Sequence, residues 1–190
     1  MVMAMKEETC LILDFLPEGY ADRRKSEPIA QALGTTFFSM LELIPRDAIT
    51  LTPEDEVYIG EGKRDKIRFI RGSLEYGKLT TLAKTLLPEL VDKLVRRNEQ
   101  RFVEFFNKAS TITPRMHQFQ LLPGVGKKHL SDILDERRKK PFDSLDNIRQ
   151  RVKLFPDPVK TVVQRVLEEL KGDEKYYIFT YRPRKMYNDR

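Results

Sequence analysis

The stretch Leu122-Pro123-Gly124-Val125-Gly126-Lys127-Lys128 decides how the rest of the chain is read. Its glycines accept backbone conformations and close approaches that a side chain forbids, and the turn opens into a helix whose first N–H groups lack intrahelical partners. Those amides, the positive end of the helix dipole and two lysines make a cradle for a phosphate. Apolar residues keep helical spacing on either side, with Phe119, Leu121 and Leu122 before the turn and Leu130, Ile133 and Leu134 behind it. A plainer reading stays open: an αα-hairpin whose glycines only close a short connection, with Lys127 and Lys128 solvated. A P-loop fits badly, because GxxxxGK[ST] needs Gly where Leu121 stands and Ser or Thr where Lys128 stands.

A degenerate second copy follows. With Pro156 set against Pro123, Asp157-Pro158-Val159 falls opposite Gly124-Val125-Gly126, a displacement of 33 residues. Asp157 adds a negative charge and Pro158 has no N–H to give, while the two make a good N-cap and first helical residue. One corner is therefore expected to grip and the other to prop. Thr113-Pro114 is read as the cap and first residue of the helix leading into the first corner, with Arg115 and His117 exposed, and Asp143-Ser144 as the start of a further helix. The arrangement resembles the helix-hairpin-helix family of sequence-independent nucleic-acid binders, in which Pro-Gly-apolar-Gly offers main-chain amides to one backbone phosphate. The resemblance implies that Gly124, Val125, Gly126, Lys127 and Lys128 bind nucleic acid within a pseudo-symmetric pair of hairpins. Leu130 departs from it, standing where many members carry Ala.

Charge supports the same half of the molecule. The net charge is +6, yet residues 1–112 carry 17 Lys and Arg against 18 Asp and Glu, whereas residues 113–171 carry 13 against 8 and residues 172–190 carry 5 against 3. A polyanion held through its phosphates fits that distribution. The single Cys10 excludes an internal disulfide, and with only His117 and His129 it leaves too few soft ligands for a structural zinc site. With neither a secretory h-region nor a run of about 20 apolar residues, a cytoplasmic protein without a membrane partner is expected.

The N-terminal part reads as five short strands: Thr9 to Leu16, the segments 29–33 and 35–44, Glu56 to Ile59, and Lys66 to Arg71. Little helix lies between them, which predicts a small closed barrel of OB or similar type. On it, Tyr58, Lys66 and Arg68 form either an aromatic and basic patch for single-stranded nucleic acid or ordinary outward-facing positions. From Thr80 the apolar period becomes helical, with Pro88 placed at the start of a second helix after a kink and Glu99 to Ala109 forming another. The tail Lys175-Tyr176-Tyr177-Ile178-Phe179-Thr180 is β-prone and is read as a strand returning to the barrel or as a stacking surface, with Arg182 and Arg184 extending the basic track.

The fold class is thus α+β in two domains. An OB-like β-barrel spans 1–79, a helical connector 80–112, a tandem helix-hairpin-helix domain 113–171, and an aromatic, basic tail 172–190. Leu122 to Lys128, Pro156-Asp157-Pro158-Val159 and Lys175 to Thr180 resemble an archaeal family of uncharacterised, predicted RNA-binding proteins, domain of unknown function 655. That resemblance implies an association with translation or transcription and supplies no reaction. The residues agree: no carboxylate cluster spaced for two-metal catalysis, Gly-x-Ser-x-Gly elbow, HExxH or plausible Cys/His pair is present, and Asp132, Asp135 and Glu136 read as solvated or paired with Arg138 and Lys139, so no catalytic residue, metal or cofactor is expected. RNA is the expected partner, with structure-selective DNA binding or a protein-interaction role as alternatives.

Overall fold

In the computed structural model, which describes residues 6–22 and 26–181, the apolar run Thr9–Leu16 forms β1, around which a sheet is built. β2 (Ile29–Gly34), β3 (Met40–Pro45), β4 (Glu56–Tyr58) and β5 (Ile67–Ser73) complete it in the order β4-β1-β2-β3-β5, every pairing antiparallel. The sheet curls into a half-barrel. The closed barrel expected from the strand count does not form, since β4 is three residues long and has no ladder to β5. The chain between them is tied up elsewhere: the Tyr58 hydroxyl accepts the Gly62 N–H, Arg64 donates to the Gly60 carbonyl, and Arg46 donates to that of Arg64.

The described chain divides into two compact units, one taking residues up to Leu90 together with those from Glu169 onward, the other Val91–Glu168. In the first, Cys10, Ile12, Ala30, Ala32, Leu43, Val57, Ile59 and Ile67 share one core. β1 is buried on both faces over Cys10–Leu13, its unbroken apolar stretch, and its ladder to β2 shifts register between Ile12 and Asp14. Burial pushes the Cys10 thiol well above its ordinary range, which leaves it an inert core residue. Two buried polar groups organise this unit. The Glu7 carboxylate accepts the N–H groups of Thr36, Phe37 and Ser39 and shapes the bend between β2 and β3, while the Gln31 amide joins the Lys78 carbonyl to the Thr80 N–H.

Thr80 then starts α1 (Thr81–Arg97) by accepting the Ala83 N–H. The helix runs through Pro88 instead of restarting there. Pro88 is exposed and has no N–H to give the Lys84 carbonyl one turn back.

In the second unit α2 (Glu99–Lys108) buries Phe102, Val103 and Phe106. The leading hairpin helix expected from Thr113 is absent. The β-branched run Thr111–Thr113 is extended instead and pairs as β6 with β7 (Met116–His117), followed by one 3-10 turn over Gln118–Leu121. α3 (Lys127–Lys139), α4 (Leu145–Arg151) and α5 (Pro158–Lys171) follow, α4 capped by the Ser144 hydroxyl and α5 by Asp157, as read from the sequence. Phe106 and Phe119 stack at 5.5 Å, and Phe155 meets Phe106 edge-on at 6.0 Å.

His117, expected outside, is buried, and the cause is its capping role. Its Nδ1 accepts the Phe119 N–H at 3.1 Å, its own N–H reaches Gln120, and its ring stacks on Phe119 at 4.7 Å. Burial and the nearby Arg137 guanidinium hold its pKa below the ordinary 6.5. The unfolded chain therefore takes up the proton first. The stability His117 contributes is complete above pH 6.5 and declines as the pH falls through 6.5 toward the lower folded value. Thermal melts between about pH 8 and pH 5 are expected to show this decline, and His117→Asn, which keeps a capping acceptor that does not titrate, to flatten it.

Candidate nucleic-acid interface

The corner between the 3-10 turn and α3 is made by two successive reversals, the Leu122 N–H donating to the Phe119 carbonyl and the Val125 N–H to the Leu122 carbonyl, each at 3.1 Å. Leu122 and Val125 point inward, 2% and 8% exposed, and anchor the corner from below. Gly124 between them has φ +75°, the left-handed region, and a Cβ there would sit 3.2 Å from Cγ of Pro156. Glycine is thus required twice over, by conformation and by close approach. The two corners aligned in the sequence do meet in space, at Gly124 and Pro156.

Gly126 is the N-cap of α3, extended at φ −92° and ψ −175°, with nothing within 4 Å of where a Cβ would be. Its carbonyl accepts the Leu130 N–H, the first bond of the helix. The N–H groups of Gly126, Lys127 and Lys128 have no acceptor among the described residues, and all three residues are exposed. His129 steadies the edge of this surface: its Nδ1–H donates to the Gly124 carbonyl at 3.1 Å and its ring meets that of Phe155 at 5.9 Å. Val125 differs from the other predicted contacts. With its N–H engaged internally and its side chain buried, it positions the loop and offers no donor.

The surplus of positive charge in residues 113–171 sorts into two groups. Many cations are consumed by the fold: Arg137 donates to the carbonyls of Phe106 and Ala109, Arg151 to those of Glu136 and Lys140, and Arg138, Lys139 and Lys140 pair with Asp135, Glu136 and Asp143. Lys127 and Lys128 have no ion-pair partner among the described residues, and the same holds for Lys153 and Lys160, which flank the second corner. Sequence reasoning named the first pair and missed the second. Their signal was present, one lysine on each side of Leu154 to Val159, but Asp157 drew attention to negative charge instead.

The auxiliary residues do not form one patch. Tyr58 lies on β4 and Lys66 immediately precedes β5, strands at opposite edges of the sheet, and the Tyr58 hydroxyl is already bonded to Gly62. Arg68 pairs with Glu27 at 3.1 Å and Asp47 at 3.7 Å and covers the Phe69 ring. Arg182 and Arg184 lie outside the described residues. Among the described residues no three His, Cys, Asp or Glu side chains stand together as metal ligands, and no helix is long and apolar enough to cross a membrane.

Comparison with known proteins matches residues 6–181 to the family described as "Protein of unknown function (DUF655)". A Methanocaldococcus jannaschii relative, "Uncharacterized protein MJ0038", is 40% identical over 175 residues, which are 91% of this chain and 79% of that protein. A crystal structure of Af1531 from Archaeoglobus fulgidus superposes with a TM-score of 0.83 at 42% identity, over 92% of this chain and all of that one.

Proposed function

The chain belongs to the DUF655 family, and from that premise and the open amides of its first corner we propose a non-catalytic RNA-binding protein of the archaeal cytoplasm. In this reading the first unit is an OB-like half-barrel. The second is a tandem helix-hairpin-helix domain whose leading helix has shrunk to a single 3-10 turn. The observation that carries the proposal is the coincidence at one exposed place of three unengaged N–H groups, the N-terminus of a 13-residue helix and two unpartnered lysines. A phosphodiester oxygen set against the N–H groups of Gly126, Lys127 and Lys128 meets hydrogen-bond donors and favourable charge together. The contact is to backbone and carries no base information, so it suits structured RNA of translation or transcription without dictating a sequence.

The test is a titration of labelled RNA with the full chain over a range of salt, in competition with DNA of matched length. Lys127→Ala is expected to weaken binding evenly across RNA sequences and to reduce the log–log salt slope by roughly one. Preferential retention of DNA would reassign the ligand. A slope unchanged by Lys127→Ala would remove that side chain from the interface.

A further inference from the structure

At 84% exposure Leu154 stands far out into solvent, and its backbone position suits a different residue. Residues 152–155 form a turn closed by the Phe155 N–H donating to the Val152 carbonyl at 3.3 Å, and Leu154 fills its third position with φ +60°. Turns with a positive φ at that position take glycine or asparagine, because a bulky side chain there is strained. A lone exposed leucine is ordinary, but one that also strains its backbone is not, since glycine would relieve strain and exposure at once. Val152 and Phe155 on either side are buried at 1% and 8%, so both ends of the projection are fixed.

This turn leads into the second corner, which is joined to the first. The Phe155 ring meets that of His129, whose Nδ1–H holds the Gly124 carbonyl, and Pro156 closes on Gly124. Leu154 is thus one residue from the group that braces the phosphate cradle, with the unpartnered Lys153 on its other side. The cradle offers amides and ammonium groups only, whereas nucleobases present flat apolar faces. Proteins that bind the minor groove of DNA frequently insert an apolar wedge, leucine among them, between base steps, and the same apolar contact is open to a base of RNA.

We infer that Leu154 is that wedge, laid against an unpaired base or an opened base step of the RNA whose phosphate the first corner holds. The inference rests on the RNA-binding reading, and the degenerate corner then has a task of its own. It props the first corner and presents the apolar contact, while the phosphate grip stays with residues 126–128.

The experiment uses the full chain and a labelled RNA stem-loop carrying 2-aminopurine at an unpaired position. Leu154→Gly is expected to melt at the same temperature as the wild type or higher, since glycine adopts the turn without strain. Its affinity is expected to fall about tenfold, the scale of burying one leucine side chain. The log–log salt slope stays unchanged because no charge is removed, and the 2-aminopurine signal on binding is lost. Leu154→Met, still apolar, retains most of the affinity. Wild-type affinity in Leu154→Gly, with binding still lost in Gly126→Asp, overturns the wedge and leaves the phosphate grip standing. If the wild type binds neither this RNA nor DNA of the same sequence, the grip and the wedge fall together.

Discussion

Gly126→Asp is expected to abolish nucleic-acid binding while leaving the melting temperature unchanged or slightly higher. The two effects have one origin. Gly126 is extended, any residue adopts its backbone angles, and nothing lies within 4 Å of the new Cβ. Aspartate at an N-cap accepts N–H groups from the first turn, here those of Lys128 or His129, and favours the fold over glycine by a few tenths of a kcal/mol. A carboxylate at the positive end of the dipole adds roughly 0.3–1 kcal/mol more. The protein thereby fills its own anion site with its own anion. A phosphate then meets a full negative charge and spent donors instead of an open cradle. Gly126→Ala leaves the amides open and separates the cases, with most binding expected to survive. Anisotropy titrations beside circular-dichroism melts read both quantities, and a folded Gly126→Asp protein with wild-type affinity refutes the cradle.

That corner was legible in the sequence because it is local: turn, helix start and charge lie within seven residues, and Gly124 meets a requirement that few other residues satisfy. The caps at Ser144 and Asp157 were legible for the same reason. What failed depended on pairing and burial that a short motif does not encode. Thr113-Pro114 has the composition of a helix start, but the β-branched run before it and the bonds between Gln118 and Ser110 favour a hairpin. Pro88 marks a helix start in isolation, yet α1 continues because the burial of Ala83, Leu87, Leu90 and Val91 along one face outweighs one missing hydrogen bond. Tyr58, Lys66 and Arg68 combine a ring and two cations on strand segments that read as outward-facing. Alternation fixes the face of a strand but not its place in the sheet, and strand order put them at opposite edges.

Charge was a partial guide for a related reason. A count of lysines and arginines does not separate those that cap carbonyls inside the fold, such as Arg137 and Arg151, from those facing solvent. Excess charge in a segment therefore overstates its interface. Among the described residues of 113–171, the cations left after internal bonds are subtracted are Arg115, Lys127, Lys128, Arg149, Lys153, Lys160 and Lys171, and four of them, Lys127, Lys128, Lys153 and Lys160, lie beside the two corners. Two corners that touch through Gly124 and Pro156 put half of those four lysines on each side of one contact.

The second large effect is expected at Glu169, and it explains why the aromatic tail is not a strand. The Glu169 carboxylate, fully buried, accepts the N–H groups of Ile178, Phe179 and Thr180 at 2.8, 3.0 and 2.8 Å and the Thr180 hydroxyl at 3.1 Å. Three successive amides converging on one carboxylate bend the backbone around it, and a strand, whose amides alternate in direction, cannot do this. Phe179 is pressed inside at 4% exposure, which removes it as a stacking platform, while Tyr181 stays outside against Phe37 at 5.7 Å. Glu169→Ala orphans four donors at once, three amides and the Thr180 hydroxyl. Bonds to a charged acceptor are worth about 1.5–3 kcal/mol each, and the freed segment recovers part of that from water, so a net loss of roughly 2–4 kcal/mol is expected. For a domain of this size the melting point should drop by about 5–15 °C. Hydrogen exchange locates the cause: the amides of 178–180 lose protection first, ahead of β1. Retained protection there in Glu169→Ala would show that the tail is held by Phe179 burial and not by the carboxylate.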